Sequence, residues 1–303
     1  MSSDEERFKK SSRILDHAYA RGCTFWDTTD NYNDNEELIG KWLKRTGKRQ
    51  DVFIATKFGY YLKDNRTING DPEYVRQATE NSLKKLGVSC IDLMYLHARA
   101  FIRADTTVPI EVTAGAMAKL VKLIFFLLRR TKSVYIGLPE VSARTIRRAH
   151  AVHPIAAVEV EYSSFNLEIE DPQIGVRDVC RELGITIVAY SPLGRGILTG
   201  QVKSAADFPQ GDFRKMFPKY NDENFPNIFK LAEGGNAQGE DIPIPGTKKT
   251  KYLEENLQAL KVKLTPADLE LIRDYIEKSN ATKGDRYPAW GMELAYADTP
   301  KLS

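Results

Sequence analysis

Residues 91–97 read IDLMYLH, a nearly unbroken apolar run that stops on an imidazole. A short run of this kind suits a strand buried on both faces, as in a parallel sheet covered by helices. The same grammar recurs upstream: residues 52–57, VFIATK, stop on Lys57, and residues 24–27, TFWD, stop on Asp27. Four later runs, 134–138, 156–160, 185–190 and the weak 242–244 between prolines, bring the strand candidates to seven.

Helix-like segments alternate with these strands. The first spans about residues 5–20 and stops at Gly22; the second starts near Glu36, with Asn35 as its cap and Gly47 as its stop. Asp71-Pro72-Glu73 puts a cap, a proline at the first helical position and an acid in the first turn of a helix that ends at Gly87. Ser142 caps a helix through His150, Asp171-Pro172 opens one stopped by Gly184, and Thr265-Pro266 opens a late one through Ile276. One repeated strand-then-helix order without a linker predicts a single α/β domain over residues 1–303, built like a (β/α) barrel. An open doubly wound sheet is the competitor, but its glycine-rich GxGxxG turn is absent.

Composition bounds the function. With 42% apolar residues the chain can bury a sizeable core, and a net charge of +3 spread along its length argues against a nucleic-acid partner. Cys23, Cys90 and Cys180 are too scattered for a disulfide framework or a CxxC metal site. The charged start MSSDEERFKK has no signal-like apolar stretch, and no run approaches the roughly 20 residues that span a bilayer. A cytoplasmic protein outside the membrane is the expectation, with no metal and an oligomeric state that cannot be read.

In a barrel the C-terminal strand ends converge on one face. Asp27, Lys57 and His97 therefore meet there, and Tyr32, on the loop beyond Asp27, leans over the same mouth. Each alone has a plainer explanation: a turn cap, a solvated charge, a core histidine or a packed loop tyrosine. Together they suit one task. A phenol with a pKa of about 10 donates poorly at neutral pH, and a neighbouring ammonium makes it more acidic. Asp27 would hold Lys57 charged, and His97 would hydrogen-bond a substrate oxygen or help pass a proton.

The motifs GCTFWDTTDNYNDNEELIG, VFIATKFG and IDLMYLH resemble the segments of the aldo-keto reductase superfamily that carry its catalytic Asp, Tyr, Lys and His. VEVEYSSF, ITIVAYSPLGRG, IPIPGTKKTKYLEENL and the tail DRYPAWGMELAYADTP continue the likeness, which is nearest to the fungal and plant pyridoxal reductase-like branch. The resemblance implies a (β/α)8 TIM barrel that binds NADP(H) without a Rossmann domain and reduces aldehydes or ketones, a small-molecule carbonyl substrate. Asp27, Tyr32, Lys57 and His97 would be the catalytic tetrad, with Tyr32 the proton donor. Tyr190 would stack on the nicotinamide, and Ser191, Leu193, Gly194 and Arg195 would line the pyrophosphate path. Thr247, Lys248 and Lys249 would meet the 2′-phosphate, with Asn256 near the adenine.

Four departures accompany the likeness. The family's first strand is missing, so the barrel is expected to be incomplete. KLIFFLLRRTKSV at 122–134 replaces a short turn, read either as a lengthened helix or, preferred, as retained intron sequence that exposes Phe125 and Phe126. GGNAQGED at 234–241 is too short for the late helix expected before the last strand. Pro139 and Glu159 stand where a Ser and a Gln would bind the carboxamide, each change costing about 1–3 kcal/mol. Trp26, Tyr60 and Trp290 suggest a broad aromatic-tolerant pocket. The alternative reading is a non-catalytic relic or mis-spliced product; a redox-sensing binding module is a third.

Overall fold

Each of the seven apolar runs forms a strand, and all seven join one sheet in which every neighbouring pair is parallel. In this computed structural model residues 3–63, 66–97, 105–128, 135–227, 241–280 and 282–302 are described. Helix α1 (Ser3–Ala20) leads into β1 (Phe25–Asp27), and α2 (Asn35–Thr46) into β2 (Phe53–Phe58). A small antiparallel hairpin, β3 (Tyr60–Lys63) and β4 (Arg66–Ile68), precedes α3 (Pro72–Leu86) and β5 (Leu93–Leu96). Then follow α4 (Ile110–Leu128), β6 (Tyr135–Pro139), α5 (Ala143–Val152), β7 (Ala157–Glu161), α6 (Val176–Leu183), β8 (Thr186–Tyr190) and β9 (Ile242–Pro243). Helices α7 (Thr250–Gln258), α8 (Pro266–Ser279) and α9 (Ala289–Met292) come last.

Strand periodicity of two sorts the side chains. Ile54, Phe58, Met94, Leu96, Ile136, Leu138, Val158 and Val160 face outward into one core with Trp42, Leu86, Met117, Ile146 and Val179 from the helices. Ala55, Leu93, Tyr95, Ala157 and Val188 alternate with them and fill the inside of the curl, beside Phe25, Phe53 and Ile244. The Tyr95 ring packs against its register partner Gly137, where a Cβ would overlap the ring atoms. Glycine is therefore required at 137 for space.

The sheet runs from β1 to β9, and among the described residues neither end strand has a further partner. The helices nonetheless meet across the opening. His17 of α1 reaches Glu254 of α7 at 2.5 Å, and Arg21 reaches the same carboxylate at 3.0 Å. Among the described residues the result is a curled seven-stranded sheet of the expected barrel type, under helices that touch over the gap.

Several local expectations need correction. Asn35 is the first residue of α2 rather than its cap; Asp34 takes that place, while Asn35 Nδ2 donates to Thr28 Oγ1 at 2.7 Å. Asp171-Pro172 does not open α6. Asp171 Oδ1 accepts from the Gln173 amide at 2.8 Å, and the helix starts only after Gly175, whose φ of 64° an L side chain would resist. The run after Val121 continues α4 as helix to Leu128, which is the conformation of the lengthened-helix reading and leaves the preferred retained-intron origin of the segment untested. The exposure expected of Phe125 and Phe126, the rest of the run to 134, and GGNAQG before the last strand lie outside what is described.

Candidate active site

The inward positions nearest the C-terminal ends of β1 and β2 are Asp27 and Lys57, and Glu159 is the inward position two residues before the end of β7. Lys57 is 1% exposed and forms ion pairs with both acids, a very close one to Asp27 Oδ1 and one of 3.3 Å to Glu159 Oε2. Its ammonium also donates to the Thr28 carbonyl at 2.9 Å and lies 5.8 Å from the centre of the Tyr95 ring. Strands β5 and β6 separate β2 from β7 in the sheet, so the contact with Glu159 crosses the inside of the curl.

Burial disfavours the Lys57 ammonium, but Asp27, Glu159 and Tyr32 together outweigh it and raise its pKa. Lys57 is held charged. Burial raises the Asp27 carboxyl, and the Lys57 charge opposes that. Tyr95 is pushed far up by burial, then by Glu159 and Asp27, so it stays a neutral phenol. Tyr32 is 53% exposed on the loop after β1, close enough for its oxygen to act on Lys57. His97 follows β5, its amide bonded to the Phe58 carbonyl at 2.6 Å. Topology thus brings Asp27, Tyr32 and Lys57 together and leaves His97 at the next strand end.

The Tyr32 loop is pinned from below. The Asp30 amide donates to the Lys57 carbonyl at 3.2 Å, and Lys85 Nζ reaches the Asp30 carbonyl at 3.4 Å. Glu36, fully buried, accepts from Thr56 Oγ1 at 2.8 Å. Burial first and Glu36 second push the Asp30 carboxyl up to about 6, against the Thr29 hydroxyl and Lys85. A folded pKa above the unfolded one makes the charged form a cost, absent at low pH and growing as pH rises from about 4 through about 6. Asp30→Asn should therefore stabilise the protein by about 1–3 kcal/mol at about pH 8 and not at about pH 4. Urea denaturation at the two pH values checks this; equal effects at both would contradict it.

A second charged group caps β6, β7 and β8. Arg286, from the tail, is 2% exposed and binds Glu140 at 2.5 and 3.0 Å, Glu168 at 2.9 Å and Glu161 at 3.4 Å. Tyr287 donates to Glu161 at 3.1 Å and lies 3.1 Å from the Tyr190 hydroxyl. Burial works against the Glu161 carboxylate, yet Arg195, Arg286 and Lys219 hold it down at about 2. Burial also brings Lys219 down to about 8, against Glu161 and Glu168. Sequence reading missed Glu140, Glu161, Arg286 and Tyr287. The spacing of Glu159 and Glu161, two apart on one strand, was the available signal that both point inward.

The remaining predicted positions are spread along the rim. Tyr190 ends β8, and Ser191, Gly194 and Arg195 adopt positive φ values of 53°, 54° and 56° in the tight turn beyond, which also holds Leu193. The Arg195 guanidinium is held by Glu161 at 2.8 Å. Thr247, Lys248 and Lys249 lead into α7, with the Lys249 amide donating to Thr247 Oγ1 at 3.1 Å; Lys248 and Lys249 are exposed, and Asn256 lies further along that helix. Pro139 is buried and paired in register with Glu159. Trp26 is no pocket wall: it packs edge-on against Trp42 at 4.7 Å in the outer core. Among the described residues no helix is long and apolar enough to cross a membrane, and no cluster of His, Cys, Asp and Glu suits a metal ion.

Comparison with known proteins agrees with this architecture. Aldo-keto reductase str7 of Strobilurus tenacellus is 50% identical over 322 aligned positions, covering 100% of this chain and 89% of that protein. Aldo-keto reductase yakc [NADP(+)] of Schizosaccharomyces pombe is 48% identical, covering 95% and 88%. Glycerol dehydrogenase of Gluconobacter oxydans superposes with a TM-score of 0.75 over 90% of this chain and 87% of its own, at 22% identity. An aldo-keto reductase from Klebsiella pneumoniae in complex with NADPH gives 0.63 over 89% and 86%, at 20% identity, and these two structures bear on the fold alone. With the model of the aldo/keto reductase family matching residues 2–277 as well, this chain belongs to that family.

Proposed function

We propose that this chain is an NADP-dependent oxidoreductase that reduces an aldehyde or ketone, with Tyr32 delivering the proton. The observation that carries the reading is the buried, charged Lys57 with Asp27 against it and the Tyr32 phenol in its field. Such an ammonium stabilises the phenolate left behind when Tyr32 gives its proton to the substrate oxygen. His97, at the next strand end, is assigned to orienting that oxygen. The name of the fission-yeast relative supports NADP.

The residues fit the cofactor. Asp27 Oδ2 and Tyr95 Oη, both beside Lys57, are buried without a hydrogen-bond partner among the described residues, so the inner end of the site retains unused polar capacity. At the outer end two exposed lysines and a threonine hydroxyl precede a nine-residue helix, a donor set suited to a phosphate dianion. Thr247, Lys248, Lys249 and Asn256 would hold the adenosine end, and Tyr190, Ser191, Leu193, Gly194 and Arg195 the nicotinamide and pyrophosphate. Bound NADPH supplies the hydride. Glu159 is engaged by Lys57, so we assign it to the inner wall rather than to a free carboxamide contact.

NADPH titration followed by protein fluorescence tests this. Saturable binding is expected, weakened at least about tenfold by Lys248→Ala with Lys249→Ala. No binding by the folded protein overturns the reading. One observation favours the alternative, a family member that no longer catalyses: the sheet is unpaired at both end strands among the described residues. Binding without turnover of any carbonyl substrate would decide for it.

A further inference from the structure

Orienting a lysine takes one carboxylate, and Lys57 has two. Asp27 comes from β1 beside it, while Glu159 reaches across the curl from β7 to within 3.3 Å of Nζ. The other ionisable groups acting on or lying against the ammonium are Tyr32 on the loop after β1 and Tyr95 on β5, with His97 at the strand end two residues beyond Tyr95. Strand β6 offers only Gly137, Leu138 and Pro139 at this level, and the Tyr190 hydroxyl of β8 is directed to Tyr287 and Glu140 at 3.1 and 3.4 Å. One cation thus stands between two anions, and the inner site carries a net negative charge when all three are ionised.

The sign of the effect on Tyr32 follows from electrostatics. A cation near a phenol lowers its pKa, and each nearby carboxylate raises it. We propose that Glu159 is a positioning residue that shares the Lys57 ammonium with Asp27, draws its charge toward β7, and so keeps the Tyr32 phenol a weaker acid than a single counter-ion would leave it. This rests on the reading of Tyr32 as proton donor. With NADPH bound to supply hydride to the carbonyl carbon, Tyr32 would give its proton to the oxygen and solvent would later reprotonate the phenolate. A weaker acid stays protonated to higher pH. Glu159 therefore extends carbonyl reduction into the alkaline range and delays the reverse alcohol oxidation, which needs the phenolate.

The test is the pH profile of kcat/KM for carbonyl reduction in the parent, Glu159→Gln and Glu159→Asp. The Gln change removes the charge and nearly keeps the shape. Its alkaline limb should move down by about one unit, while Glu159→Asp stays close to the parent. An unmoved limb, or a loss of rate equal at every pH, would mean that Glu159 only packs, and the proposal falls. A second measurement needs no turnover: tyrosinate absorbance is titrated with and without Tyr32→Phe, in the parent and in Glu159→Gln. The difference reports the Tyr32 phenol alone and should titrate about one unit lower in Glu159→Gln; an unchanged midpoint overturns the assignment. Absence of carbonyl reduction in the parent would instead count against the catalytic reading, so the two failures are separable.

Discussion

Tyr32→Phe is expected to lower turnover in carbonyl reduction by about 10²–10⁴-fold while leaving NADPH affinity within about twofold of the parent. The substitution keeps the ring and removes only the hydroxyl. It leaves the Asp27–Lys57–Glu159 ion pairs intact, because Tyr32 sits on the loop outside them and is half exposed. A uniform loss of binding would mean that Tyr32 shapes the cofactor site. Single-turnover reduction monitored by NADPH absorbance, together with fluorescence titration, separates the two effects. Activity retained in Tyr32→Phe would move the proton-donor role elsewhere, with His97 the next candidate.

Arg286→Ala is expected to produce the largest loss of stability, about 3–5 kcal/mol. The guanidinium is almost wholly buried and answers Glu140, Glu161 and Glu168. Removing it leaves Glu140, which is 0% exposed, as an uncompensated buried charge. Against a typical total of about 5–15 kcal/mol, such a loss takes a large share. The shift should appear as a lower denaturant midpoint, and Glu140→Gln in the same chain should recover part of it. In the parent, the Glu161 carboxylate, held down to about 2, stabilises the fold above its unfolded pKa and loses that contribution as pH falls toward about 2. Without Arg286 that contribution shrinks, so the deficit should narrow as the solution is acidified.

How far the sequence carried depends on the range of the forces involved. The seven strands were legible because burial on both faces demands unbroken apolar runs, and the polar residues that end the first three, Asp27, Lys57 and His97, marked the site end. Asp27, Lys57 and His97 followed from that pattern with no knowledge of their neighbours. Local signals misled where two competed: Asp171-Pro172 has the composition of a helix start, but Gly175 at positive φ takes over and the helix begins later. The contacts between Glu159 and Lys57 and between Arg286 and Glu140 were not legible. Periodicity tells which face of a strand a side chain takes, not which residue 102 or 146 positions away stands opposite. Trp26 was misplaced for the related reason that an outward residue beside a site residue looks the same in sequence as an inward one.

The Tyr95 ring and Gly137 occupy a single volume at the centre of the curl. That makes them one inherited unit rather than two sites. A descendant lineage can acquire a side chain at 137 only after position 95 has already become small, since the reverse order passes through an overpacked intermediate. The route is therefore directional, and a change at 95 opens a mutational neighbourhood at 137 that is otherwise closed.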